Sequence, residues 1–144
     1  MADILKVVSP IDGSVYAERP LASAEEIESA LATAAQAQRA WAGVPLDQRA
    51  EVCSRFVDAL LARGGTLTEE LTWQMGRPIG QTPGELRGFE ERARHMIAIA
   101  PDALMPIDAG PKDNFHRYIE RAPLGVVLTV AAWNYPYMIA VNSV

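Results

Sequence analysis

Apolar side chains return every three or four positions through most of residues 24–100, and capping signals divide them into four helices. Ser23 and Glu26 form a capping box ahead of a stripe of Ile27, Ala30, Leu31, Ala34, Ala37 and Trp41, which Gly43 and Pro45 end. A second helix over about 46–63 turns Leu46, Ala50, Cys53, Val57, Leu60 and Leu61 inward and stops at Gly64-Gly65. Thr66 with Glu69 caps a third, short helix that runs to Met75, with Gly76 suited to its C-terminal cap. Thr82-Pro83-Gly84-Glu85 offers an N-cap, a first-turn proline and an N3 carboxylate to a fourth. Leu86, Phe89, Ala93, Met96, Ile97 and Ala100 line its inner face, and Pro101 closes it.

The remaining pattern is extended. Val7 to Pro20 reads as a hairpin about Asp12-Gly13. Residues 102–114 read as a loop, and Phe115 to Arg121 alternates as a strand. Val126 to Ala132 is apolar throughout except Thr129 and rich in β-branched residues, the pattern of a strand covered on both faces in a parallel sheet. Pro136 then suits the first turn of a helix. The predicted class is α/β. Trp133 and Asn134 fall between strand and helix, at the carboxyl end where open α/β sheets bind ligands.

Composition narrows the function. A chain of 144 residues, 49% apolar and 22% charged, suits one globular domain. Its net charge of −5 argues against a nucleic-acid surface. No apolar run reaches the roughly 18 residues of a membrane span. The N-terminal residues carry no secretory pattern. A single cysteine fits a reducing compartment, so the expected location is the cytoplasm.

The residues that look reactive in isolation are weak candidates. Cys53 sits on the apolar face of the second helix with no helix N-terminus or histidine implied nearby, and is expected to be packed. His95 and His116 lack the ligand spacing of a metal site, and none is expected. Glu90, Glu91, Arg92 and Arg94 read as a solvated helix face with i,i+4 pairs. Asn134 has two readings: a cap for the helix opening at Pro136, or an amide donor to an anion that forms during a reaction.

Leu124-Gly125-Val126 followed by Trp133-Asn134-Tyr135-Pro136 resembles the aldehyde dehydrogenase superfamily. Ser9-Pro10-Ile11-Asp12-Gly13, Trp41-Ala42 and Gly76-Arg77-Pro78 are further points of similarity. Ala132 departs from the family's usual proline, and Gln74, Met75 and Arg77 depart from its commoner Glu-Thr-Gly-Lys-Pro. The resemblance implies a hairpin and helices packed on the start of a Rossmann-like parallel sheet, incomplete within these residues. It divides the chain into a hairpin and four-helix part (1–111), a strand toward the oligomerisation region (112–122), and the first strand and helix start of the cofactor fold (123–144).

It also implies a chemistry. An aldehyde is oxidised to its acid with NAD or NADP, through a cysteine thiohemiacetal and thioester. Asn134 would supply the oxyanion amide, and Ala131, Ala132, Trp133 and Asn134 would pass beside the cofactor. Tyr135, Ile139 and Asn142 fall where the family lines its aldehyde tunnel, although each also suits core packing. The nucleophilic cysteine and general-base glutamate lie beyond Val144 in the family, so this segment alone is expected to be inactive. The resemblance further implies a homodimer or homotetramer. The competing expectation is a self-contained helical interaction module, supported by its well-capped amphipathic helices.

Overall fold

The computed structural model describes residues 3–143. Strands β1 (Ile4–Val8) and β2 (Val15–Pro20) form the expected hairpin, with Ile4 opposite Pro20, Val7 opposite Ala17, and a register shift between Val7 and Val8. At its tip Asp12 accepts the Ser14 N–H at 2.9 Å and the Ser14 hydroxyl at 2.7 Å. Those bonds hold the Asp12 carboxyl below its ordinary range. Tyr16 of β2 stacks on Trp73 with planes 7° apart, which docks the hairpin on the third helix.

Helix α1 (Ala24–Ala42) begins at the expected capping box: Ser23 Oγ accepts the Glu26 N–H, and Glu26 Oε2 accepts the Ser23 N–H. Its predicted apolar stripe is present but uncovered, and none of its residues is buried. The core lies instead around α4 (Thr82–Ala103), which packs against α2 (Leu46–Leu61), α3 (Gly64–Met75) and α5 (Pro136–Ala140). Val57, Phe89, Ala93 and Val141 form its centre, with Leu60, Leu61, Ile97 and Tyr137 against them. Phe56 meets the Phe89 ring edge-on at 6.2 Å. Gly88 lets α5 approach α4 closely, since a Cβ there would stand 2.5 Å from Met138 Sδ.

Several boundaries differ from expectation. The third helix starts at Gly64, not Thr66, so the glycine pair lies in its first turn and no Thr66–Glu69 capping box opens it. The Thr68 hydroxyl donates to the Gly64 and Gly65 carbonyls, which steadies that turn. Gly76 does end the helix in the left-handed region, at φ +79°. Thr82 is a buried helical residue whose hydroxyl donates to the Ile79 carbonyl, and Gln81 takes the cap position. Pro101 does not close α4. It lies in the last turn, where one N–H is lost but the ladder resumes with Leu104 N–H to the Ala100 carbonyl. The expected loop at 102–114 contains β3 (Ile107–Asp108), which pairs antiparallel with β4 (Tyr118–Ile119), the central part of the predicted 115–121 strand.

The largest correction concerns Val126–Ala132, which forms no strand. A parallel strand takes every backbone hydrogen bond from its neighbours. Among the described residues the sheets are β1–β2 and β3–β4 alone, so this run has no neighbour to pair with. Most of its side chains stand in solvent, with Leu128 88% and Val130 83% exposed, while Thr129 and Ala131 are half-buried. The helix at Pro136 forms as expected.

Candidate active site

The Trp133-Asn134 turn joins the exposed run to α5, and Tyr135 N–H closes it on the Ala132 carbonyl at 3.4 Å. Pro136 opens α5, so its missing N–H removes one of the helix's orphan donors. The next two N–H groups, of Tyr137 and Met138, point to Glu85 Oε1 at 2.8 and 3.5 Å. Glu85 comes from the first turn of α4, and its side chain is wholly buried. A carboxylate at a helix N-terminus is favoured both by these bonds and by the helix dipole. Burial, followed by the nearby charges of Glu70 and Glu85, raises the Tyr137 phenol above its ordinary pKa.

The other Glu85 oxygen, Oε2, accepts from Arg77 Nη1 at 2.5 Å. Arg77 follows the left-handed Gly76, a turn that brings it back alongside α4. Its second terminal nitrogen, Nη2, donates to the Asn134 backbone carbonyl, and its guanidinium carbon lies 4.1 Å from the Tyr135 ring centroid. A buried carboxylate therefore holds both the arginine that grips the turn and the first N–H groups of the helix that follows.

This arrangement bears on the two readings of Asn134. Tyr135 occupies the N-cap of α5, no side chain from that position caps it, and its open N–H groups face Glu85. Asn134 is thus not the cap, and it is exposed. Trp133 is 75% exposed beside it, while Ala131 is half-buried and Ala132 exposed. Tyr135, Ile139 and Asn142 are exposed as well, so none is core packing. Tyr135 lies under Arg77, and Asn142 is tied through Oδ1 to Arg92 Nη1 at 3.1 Å.

Cys53 is half-buried in a groove between α2 and α4 that Ala50, Val57, Met96 and Arg49 also line. Among the described residues no three His, Cys, Asp or Glu side chains gather as a metal site. Sequence reasoning missed Arg77 and Glu85. Arg77 stood out only as a departure from a motif, and Glu85 read as a cap for its own helix rather than another 52 positions away.

The model of the family described as the aldehyde dehydrogenase family matches residues 2–144. The chain belongs to that family. Among curated aldehyde dehydrogenases, betaine aldehyde dehydrogenase 2 of Rhizobium meliloti (strain 1021) is 35% identical over 134 residues, which are 92% of this chain and 27% of that protein. A solved structure of 3,6-anhydro-L-galactose dehydrogenase is 30% identical with a TM-score of 0.87, covering 98% of this chain and 30% of the other. The NADP-dependent glyceraldehyde-3-phosphate dehydrogenase of Bacillus halodurans C-125, solved with NADP, is 26% identical with a TM-score of 0.84, over 96% of this chain and 30% of that one. The chain thus spans under a third of the length of these relatives, and its α/β architecture is that of the corresponding part of the aldehyde dehydrogenase fold.

Proposed function

We propose that the whole protein carrying these residues oxidises an aldehyde to its carboxylic acid with NAD or NADP, and that Asn134 donates its side-chain N–H to the oxyanion. In this reading a cysteine thiolate outside the segment attacks the aldehyde carbonyl. Charge gathers on the carbonyl oxygen, and an amide is suited to hold it because it donates without titrating. Loss of hydride from the tetrahedral adduct leaves a thioester, which water hydrolyses with the help of a base also outside the segment. The dinucleotide supplies only the hydride acceptor. Residues 131–133, with Asn134, are assigned to the cofactor side of the turn, where their main-chain groups would meet the dinucleotide. Tyr135, Ile139 and Asn142 are assigned to the aldehyde side of the turn.

The observation that carries this reading is that Asn134 is exposed while Glu85 meets the N–H groups an asparagine cap would serve, in a chain of the aldehyde dehydrogenase family. Family membership also outweighs the helical-module reading. The division of the chain at residues 111 and 122 and assembly into dimers or tetramers through the strand near Phe115–Arg121 belong to the same proposal. Cytoplasmic location does too. No helix among the described residues is long and apolar enough to cross a membrane.

The test is Asn134→Ala in the full-length enzyme, with kcat expected to fall by about 10²–10³ as for loss of one oxyanion donor. An unchanged kcat would remove Asn134 from the mechanism. Residues 1–144 alone are expected to reduce neither NAD nor NADP with any aldehyde. Turnover by the purified segment would contradict the assignment of nucleophile and base to other parts of the protein.

A further inference from the structure

We infer that Arg77, held by Glu85, is the positioning residue for the Asn134 amide; this rests on the proposed oxyanion role of Asn134. The turn that carries Asn134 has few other anchors. Tyr135 at the N-cap of α5 supplies no side-chain cap, and the bond that closes the turn, Tyr135 N–H to the Ala132 carbonyl, is long at 3.4 Å. Arg77 supplies what is missing from one planar group. Nη1 binds Glu85 Oε2, Nη2 binds the Asn134 carbonyl, and the guanidinium face lies on the Tyr135 ring.

Glu85 completes the device. Its side chain is wholly buried, and Oε1 takes the Tyr137 and Met138 N–H groups while Oε2 takes Arg77. The backbone on both sides of Tyr135 is therefore fixed to a single carboxylate that is itself rooted in α4, the hub of the core. The arginine touches the backbone of the turn and not the side-chain amide, so it acts through Asn134 rather than on the reacting atoms. An oxyanion donor works only when it is already in place, and a displacement of about 1 Å can cost 10²-fold in rate.

The geometry is specific to a guanidinium. A lysine ammonium offers one charged centre, and cannot bond two acceptors in a fixed plane while lying flat on an aromatic ring. Arg77→Lys is expected to retain the fold and lose kcat by about tenfold, and Arg77→Met by about 10²-fold, each with little change in KM for aldehyde or dinucleotide.

The deciding experiment is a double-mutant cycle on kcat in the full-length enzyme, pairing Arg77→Met with Asn134→Ala. Arg77→Met is expected to lower kcat strongly in the wild type and by less than about threefold once Asn134 is already alanine, because the group it positions is gone. Should Arg77→Met fail to fold, Arg77→Lys carries the same cycle with a smaller span. Full additivity of the two effects overturns the inference while leaving the oxyanion role of Asn134 intact. An effect of either Arg77 variant confined to KM overturns it as well. If Asn134→Ala alone leaves kcat unchanged, the oxyanion role falls and the inference falls with it, a result distinct from the other two.

Discussion

Helix α4 and the run from Leu124 to Ala132 are both strongly patterned, yet their fates differ. In α4 the expected Phe89 and Ala93 are buried at the centre of the core, whereas Leu128 and Val130 are almost fully exposed. A helix satisfies its backbone internally, so it needs only a neighbour for its apolar face, and α2, α3 and α5 supply that. A parallel strand borrows hydrogen bonds from other strands as well as cover from other layers, and the described residues contain no strand to lend them. Helix α1 shows the intermediate case. Its capping box and backbone are complete, but nothing covers its apolar stripe. Local signals suffice to form an element, whereas burial depends on what lies opposite.

The difference can be broken most sharply by truncating one side chain in each region. Phe89→Ala in the 144-residue chain is expected to destabilise by about 3–5 kcal/mol in denaturant unfolding, through lost transfer energy and the cavity left between α2 and α4. Leu128→Ala in the same chain is expected to change stability by no more than about 0.5 kcal/mol, since its side chain has little to lose. In the whole protein, where the proposed fold places strands on either side of the run, the same Leu128→Ala is expected to cost about 2–5 kcal/mol. A small effect of Leu128→Ala in both settings would show that the run is never a sheet strand.

The two regions also mark how much was legible beforehand. The hairpin, all four long helices and the helix at Pro136 were readable because caps, glycines and helical periodicity act within a few residues. The errors sit where a partner decides. Thr82 matched an N-cap pattern but turned its hydroxyl back to Ile79, and Glu85 matched an N3 cap but was used by α5. The strand at Val126–Ala132 was read from a burial pattern that only a complete sheet can satisfy. At the turn, Asn134 stood out through a motif, and its role rests on the proposal. Arg77 and Glu85 were not legible, because nothing in the spacing of 77, 85 and 134 announces that they meet.

Glu85 joins the two regions, and removing only its charge sharpens the comparison. Glu85→Gln keeps shape and one acceptor oxygen but leaves the Arg77 guanidinium without its anionic partner in a site 9% exposed at the arginine. The expected loss is about 1.5–3 kcal/mol, the range for a hydrogen bond to a charged group. Hydrogen exchange at the Tyr137 and Met138 amides should rise with it, while amides in the middle of α2 stay protected. Uniform acceleration across both would mean that Glu85 supports the whole core rather than the start of α5.

The smallest expected effect lies at Tyr137, where the continuation of the exposed run first enters the core. Burial, then the charges of Glu70 and Glu85, raise its pKa, against a weaker opposing influence from Arg63. The folded state therefore holds the phenolic proton more tightly than the unfolded chain does. Its contribution to stability is complete below the unfolded tyrosine value of 10.0 and is lost as pH rises through the higher folded value. Wild type should accordingly lose stability more steeply than Tyr137→Phe above that value, with a phenolate absorbance step that comes late and is absent from the variant. Parallel alkaline limbs for the two proteins would mean that α5 stands away from the core in solution, and that the docking of the Asn134 turn on Glu85 is loose.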